Sequence, residues 1–188
     1  MNKIVEDIEN EVKKRCESSN NFYGIGAWSH IKAVEKNAVI LAKKYDVDIE
    51  LIRLAALLHD VASVTKKEYV KDHHIYGAKI AEELLNEYNY PKDKIEKIKR
   101  CILNHRGSVL VEKTTKEEIC ISDADAISHF DQIPGLFSMV YKEMGLSIED
   151  GAKYLKDKLI RSYNKLTDET KELYKEKINN TMSIFEEI

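Results

Sequence analysis

The sequence has 188 residues, of which 43% are hydrophobic and 34% are charged, and its formal net charge is −3. These totals suit one globular domain with a hydrophobic core, and they argue against a broad basic surface for nucleic acid. No apolar run reaches about 18 residues, so we expect no membrane span.

The cysteines and the N-terminus indicate where the protein works. Cys16, Cys101 and Cys120 are odd in number and far apart, so we expect reduced thiols in a cytoplasmic protein. Residues 1–19 are amphipathic and rich in acidic side chains, without the apolar centre of a signal peptide. The seven glycines and two prolines leave little room for the many turns of an all-β fold.

Apolar residues recur at helical spacing along most of the chain. Such stripes predict helices within residues 30–45, 48–63 and 74–88. Pro91 suits the first turn of the next helix, whose apolar stripe runs to Ile102.

Two later segments carry signals for the start of a helix. "SIEDGAKYL" opens with Ser147 and Asp150 at capping-box spacing, and "TDETKELYKEKI" (167–178) has acidic residues in its first turn. The one strand-like run is "SVLVEK" (108–113). We therefore predict an all-α fold with about eight or nine helices.

The segment "LAALLHDVAS" (54–63) places a carboxylate inside an apolar run. Burying an ionised carboxylate costs on the order of several kcal/mol unless another group pairs with it. The run contains no lysine or arginine that could neutralise Asp60. A partner must therefore come from elsewhere in the fold.

Three histidines on separate predicted helices face the core. His59 lies one turn after Ala55 on the core side of its helix, and His105 extends the stripe that ends at Ile102. His30 lies one turn before Val34, which belongs to the stripe of residues 30–45. One inward histidine is usually a core residue, but three beside Asp60 favour a divalent cation, which binds neutral imidazoles and carboxylates. This donor set suits Zn, Fe, Mn, Ni or Co, and the lack of a cysteine cluster argues against a structural zinc site.

The segment "ISDADAISHF" offers further acidic ligands. Alone, a pair such as Asp123 and Asp125 more often caps a helix or faces water. Here the apolar neighbours make metal binding about equally favoured.

These residues, in this order, resemble the HD-domain superfamily of metal-dependent phosphohydrolases, whose pattern is H…HD…D on a helical bundle. The matching segments are "WSHIKAV", "LAALLHDVAS", "DHHIYGAKIAEELL", "CILNHRGS" and "SDADAISHF". The resemblance covers about residues 28–130. It implies one HD-type helical domain over residues 1–188, in which residues 131–188 form C-terminal helices that complete the bundle.

The resemblance implies a set of metal ligands. Four residues match the ligands of a first metal: His30, His59, Asp60 and Asp125. His73 and His105 match two extra histidines that would hold a second metal, with Asp60 as the bridge, and His74 is the weaker candidate beside His73. The family's "A-D" pattern favours Asp125 over Asp123, which we expect to support the site or its helix.

One departure from the family concerns the last aspartate. Many relatives follow it with arginine, whereas this chain has Ala126. Arg106, directly after His105, is a candidate replacement, although it could equally be a surface charge. Three lysines in the loop after the HD segment could draw in an anion or form a solvated loop: Lys66, Lys67 and Lys71.

By resemblance we expect a phosphohydrolase with Asp60, His73, His105 and Arg106 as catalytic residues. Its cofactor would be one or two divalent ions (Mn, Fe, Co, Ni or Zn, with Mg as a further option), and its substrate a nucleotide or other small phosphate ester. No G-Y-P element lies beside the HD core, which disfavours cyclic dinucleotides. Two alternatives stay open: a di-iron oxygenase, and a metal-stabilised binding module without turnover. The oligomeric state is open.

Overall fold

The protein is all-helical, as predicted. The computed structural model describes residues 3–21, 23–24, 26–106 and 112–186, and within these ranges the chain forms ten α-helices and no β-strand. The helices are α1 Lys3–Cys16, α2 Gly26–Tyr45, α3 Ile49–Leu58, α4 His73–Glu87, α5 Lys92–Asn104, α6 Lys116–Asp131, α7 Ile133–Phe137, α8 Ile148–Lys165, α9 Asp168–Leu173 and α10 Lys175–Met182. Short 3₁₀ turns occupy Lys67–Tyr69 and Ser183–Phe185, and a π-helical segment spans Ser138–Glu143. Residues 108–111 of the strand-like run lie outside the described residues, and residues 112–113 belong to no helix.

The first core lies around α2, which packs against both α3 and α6. The predicted stripe of α2 is fully buried at Val34, Ala38 and Leu41. The alanines of α3, Ala55 and Ala56, are fully buried as well and allow neighbouring helices to approach closely. Helices α1, α4 and α5 add their apolar faces to this same cluster.

A second core joins α6 to the C-terminal helices. Ile127 and Phe130 of α6 pack with Leu155 and Leu159 of α8 and with Phe185. Since Ala124 belongs to the first core, α6 is covered on opposite faces. The polar residues of α6 are therefore held inside the molecule.

Three predicted helix limits were wrong. α3 ends at Leu58, so His59 and Asp60 lie in the turns that follow it, and Pro91 precedes α5 instead of opening its first turn. The segment 167–178 forms two helices because Tyr174 leaves the helical conformation (φ −110°, ψ 15°). Its hydroxyl donates a hydrogen bond to Oδ1 of Asn37 at 3.2 Å. The described residues form ten α-helices, whereas we expected eight or nine. This break and the short α7 account for part of the difference.

None of the described helices combines the length and the apolarity needed to cross a bilayer. The three cysteines are free and buried.

The capping box at the start of α8 gives a stability prediction. Oγ of Ser147 accepts a hydrogen bond from the Asp150 amide at 3.0 Å and donates one to its carboxylate at 3.0 Å. We expect Ser147→Ala to lower the free energy of unfolding by about 1 kcal/mol, as loss of a cap does. Chemical denaturation measures this change. Ser19→Ala removes an exposed hydroxyl in the turn after α1 and should change stability by less than about 0.5 kcal/mol; equal losses in both variants would contradict the prediction.

Candidate metal centre

The HD turn and two histidine-bearing helices meet because α4 comes close to both α3 and α5. Gly77 on α4 permits this approach: a Cβ there would lie 3.2 Å from Cγ2 of Ile102 and 3.6 Å from the carbonyl oxygen of His59. His73 begins α4 one turn before this glycine, and His105 caps the end of α5. The local packing therefore directs both histidines towards the HD turn.

Asp60 is surrounded by imidazoles. Its Oδ2 lies 3.5 Å from Nε2 of His59 and 3.9 Å from Nε2 of His30, while its Oδ1 lies 3.5 Å from Nε2 of His73 and 3.7 Å from Nε2 of His105. The side chain keeps 24% exposure because it opens onto a cavity, so it is less buried than the sequence suggested. The two carboxylate oxygens thus face two different pairs of histidines.

Three of these imidazoles have the same ring orientation. Nδ1 of His59, His73 and His105 lies 2.7, 2.9 and 2.6 Å from the carbonyl oxygen three residues earlier in each case. A carbonyl oxygen only accepts, so Nδ1 carries the proton. Nε2 of each ring is then the nitrogen that faces Asp60, where it offers a lone pair to a cation or, once protonated, a proton to the carboxylate.

This arrangement fits a bound cation. Nε2 of His73 and Nε2 of His105 lie 3.2 Å apart, and the fully buried Nε2 of His59 has no hydrogen-bond partner. Lone pairs facing one another and a carboxylate repel unless a positive charge lies between them. Two groups have ligand atoms close enough to share one ion: His30, His59 and Asp125, and His59, Asp60 and His105.

Asp125 reaches the same space from the centre of α6. Its Oδ1 lies 3.3 Å from Nε2 of His30, and its Oδ2 accepts a hydrogen bond from Nζ of Lys165 at 2.6 Å. One carboxylate oxygen is thus fixed by Lys165, and the other faces the imidazoles. The structure brings all four residues predicted for the first metal to one place.

The charges of the centre keep both carboxylates ionised. Burial alone would raise the pKa of Asp60, but the adjacent imidazoles of His59 and His105 outweigh it and hold the pKa well below its usual range. Burial likewise opposes ionisation of Asp125, whose pKa Lys165 and His30 hold well below its usual range. Both groups are therefore anionic at neutral pH.

The remaining candidates from the sequence fall in different places. Arg106 lines the cavity and donates a hydrogen bond to the carbonyl oxygen of Lys71 at 2.8 Å. His74 is not among the residues that line the cavity. Asp123 is fully buried away from the imidazoles, and its Oδ2 accepts hydrogen bonds from the amide (3.2 Å) and hydroxyl (2.6 Å) of Thr167. It fixes the start of α9 to α6.

Sequence analysis missed four residues of this cavity: His129, Lys158, Arg161 and Lys165. The three cations lie at positions i, i+3 and i+7 of α8, which is one face of a helix. That spacing was visible in the sequence, but a charged helix face is normally solvated. His129 lies one turn after Asp125 on α6, and burial together with Lys158 holds its pKa well below its usual range, which keeps the ring neutral.

The cavity has a volume of about 280 Å³. Asp60, Asp125 and the imidazoles line it together with the cations of α8, of which Lys165 pairs directly with Asp125. A cavity of this size admits a small molecule or part of a larger one.

The model of the HD domain family matches residues 27–130. The chain belongs to this family. The match includes every residue predicted to bind a metal, and it ends at the C-terminal end of α6. The cations of α8 lie beyond it.

Curated relatives share part of their length with this HD-domain chain. Ribonuclease Y of Clostridium perfringens is 25% identical in an alignment 148 residues long, which covers 67% of this chain and 27% of that protein. Ribonuclease Y of Finegoldia magna is 33% identical over 106 residues, 56% of this chain and 19% of that protein. The chain therefore spans about a quarter or less of the length of these relatives.

Solved structures share the fold over nearly the whole chain. Bacillus subtilis YpgQ superposes with a TM-score of 0.73 at 18% identity, covering 98% of this chain and 93% of that one. The structure of YpgQ in complex with ADP gives a TM-score of 0.70 at 19% identity, covering 97% of this chain and 94% of that one. An HD-superfamily hydrolase from Bacillus thuringiensis gives 0.68 at 21% identity, with 97% and 93% covered.

Proposed function

We propose that this HD-domain chain is a metal-dependent phosphohydrolase that acts on a nucleotide or another small phosphate ester. The observation that carries this proposal is the set of Nε2 atoms directed at Asp60, with a buried and unpartnered Nε2 on His59. Such a set supports a divalent cation far better than it supports a plain hydrophobic core.

The first ion would be held by the side chains that match the family pattern: His30, His59, Asp60 and Asp125. His73 and His105 face the other oxygen of Asp60 and would hold a second ion. A bound divalent cation makes a nucleophilic water available near neutral pH and polarises a phosphoryl oxygen. The donor set of imidazole and carboxylate suits Mn, Fe, Co, Ni or Zn, and Mg is a weaker choice because it prefers oxygen ligands.

The cationic residues of the cavity suit the phosphate of the substrate. Arg106, Lys158, Arg161 and Lys165 carry only hydrogen-bond donors and positive charge. Arg106 is anchored through the carbonyl oxygen of Lys71, which aims its guanidinium. Burial lowers the pKa of Lys158, and an anionic ligand beside it would counter that effect.

The comparisons support two substrate classes. YpgQ has been solved with ADP, which favours a nucleotide. The name ribonuclease Y suggests an RNA phosphodiester for those relatives, although this chain covers only about a quarter of their length. The enclosed cavity favours the small nucleotide as the first candidate and the end of an RNA strand as the second.

A reconstitution screen tests the proposal. The protein is stripped with a chelator, its residual metal is measured, and it is reloaded separately with Mn, Fe, Co, Ni, Zn or Mg. Each form is assayed for release of phosphate, pyrophosphate or nucleotide from nucleoside mono-, di- and triphosphates and from a short single-stranded RNA. We expect turnover with at least one transition metal and none after stripping.

The same screen separates the alternatives. Turnover of RNA alone would favour the phosphodiesterase, and iron-dependent oxygen consumption without phosphate release would favour the oxygenase. A metal-loaded protein that cleaves no phosphate ester, but melts at a higher temperature than the stripped form, would be a metal-stabilised binding module. Each of the last two results contradicts the proposed function.

A further inference from the structure

His129 offers the cavity a group that differs from the cations around it. Arg106, Lys158, Arg161 and Lys165 can only donate hydrogen bonds, as the phosphate oxygens of a substrate require. The neutral ring of His129 has one nitrogen that accepts. Which nitrogen faces the cavity decides what the ring can bind.

The hydrogen bonds around Ser162 determine that nitrogen. The Ser162 hydroxyl donates to the carbonyl oxygen of Lys158 at 3.0 Å, so its one proton is used. Its oxygen therefore accepts from Nδ1 of His129 at 2.8 Å. Nδ1 carries the proton, and Nε2 is the acceptor.

The ring is fixed with Nε2 beside the metal centre. It stacks on His30 with a centroid distance of 5.1 Å and an interplanar angle of 7°. Nε2 lies 3.8 Å from Oδ1 of Asp125, which is too long for a hydrogen bond. Among the described residues, His129 belongs to neither group whose ligand atoms are close enough to share an ion.

An acceptor in this position rejects a phosphate oxygen and suits a hydroxyl. Gln132, which caps the end of α6, also lines the cavity and adds a carboxamide. The metal centre and the cations would take up the phosphate of a substrate, which leaves His129 and Gln132 for its alcohol portion. We propose that Nε2 of His129 accepts a hydrogen bond from a hydroxyl of that alcohol portion, which in a nucleotide is a ribose hydroxyl; this inference rests on the proposed function.

ADP and analogues that lack one or both ribose hydroxyls test the proposal through binding. ADP, 2′-deoxy-ADP, 3′-deoxy-ADP and 2′,3′-dideoxy-ADP are titrated into the metal-loaded protein by calorimetry. We expect the wild type to bind ADP about 3–10-fold more tightly than the analogue that lacks the recognised hydroxyl, as for one neutral hydrogen bond. His129→Leu should reduce this preference to less than about twofold.

Two more variants separate recognition from a general effect on the fold. His129→Gln keeps an acceptor that reaches about as far as Nε2 and should retain part of the preference. Ser162→Ala removes the acceptor that orients the ring and should weaken the preference with His129 intact. A merely structural role would weaken the binding of all four nucleotides alike.

The outcomes are distinct from those of the reconstitution screen. A His129→Leu protein that keeps the wild-type preference overturns the proposal, as does a wild type that binds all four nucleotides equally or binds none. In each case phosphate-ester turnover in the screen shows separately whether the proposed function stands. A preference that depends on His129 without turnover in the screen would leave the hydroxyl contact standing and overturn only the proposed hydrolysis.

Discussion

Replacing Asp60 with alanine is expected to remove the metal and the activity together. Asp60 is the residue whose two oxygens face both pairs of histidines, at 3.5–3.9 Å from their Nε2 atoms. Without it, each pair loses the negative charge that offsets a divalent ion. We expect metal content near zero after dialysis, and turnover lower by about 10³-fold or more, since the metal supplies several kcal/mol of catalysis.

Metal content and phosphate-ester turnover should be measured on the same preparations of wild type and Asp60→Ala. Asp157→Ala is a matched control, because it removes an exposed carboxylate that does not line the cavity. That variant should keep both the metal and the rate. An Asp60→Ala protein with wild-type metal content would show that Asp60 is not a ligand.

The stability of the same variant adds a second readout. In the stripped protein the depressed pKa of Asp60 means that the imidazoles stabilise the ionised carboxylate in the folded state more than burial opposes it. We therefore expect stripped Asp60→Ala to unfold at a lower denaturant concentration than the stripped wild type at neutral pH, with the difference shrinking in acid as the wild-type carboxylate is protonated. Equal stability of the two stripped proteins at neutral pH would contradict this pairing of Asp60 with the imidazoles.

The metal centre could be predicted because its residues are unusual for their surroundings. His59 and Asp60 interrupt an apolar run, and His105 extends an apolar stripe, so the burial of the two histidines was evident from spacing alone. The helical class followed from the same periodicity. The exact helix ends did not, because His59 and Asp60 lie in turns that tertiary packing around α4 stabilises.

The cationic side of the cavity could not be predicted from local pattern. Lys158, Arg161 and Lys165 form a charged helix face like those that usually meet solvent. They face the centre because the second core packs α8 against α6, a contact between residues distant in sequence. Lys66 and Lys71, which sequence analysis considered for an anion, do not line the cavity, and Lys66 lies over the ring of Tyr69 instead.

His129 was overlooked for a related reason. Its helix is covered on opposite faces, so apolar periodicity on α6 is weak and does not distinguish a cavity from a core. Its position four residues after Asp125 was the available signal, since residues at i and i+4 share a helix face. The role of such a histidine depends on Ser162, which comes from α8.

Changing His105 to alanine is expected to separate turnover from binding of the first metal. Nδ1 of His105 is anchored to the carbonyl oxygen of Ile102 at 2.6 Å, and its Nε2 lies 3.2 Å from Nε2 of His73. Neither ring belongs to the group formed by His30, His59 and Asp125. The first ion should therefore stay bound while the second is lost.

We expect turnover of His105→Ala to fall by about 10²–10⁴-fold, as when a second metal or a proton-transfer group is removed. Metal per protein and rate are measured together, and Cys101→Ala is the matched control because it shortens a fully buried residue one turn earlier on α5. That control reports loss of packing without loss of an imidazole, so it should keep the wild-type rate per bound metal. A His105→Ala protein with full metal content and an unchanged rate would remove His105 from the mechanism, whereas loss of all metal would place His105 among the ligands of the first ion.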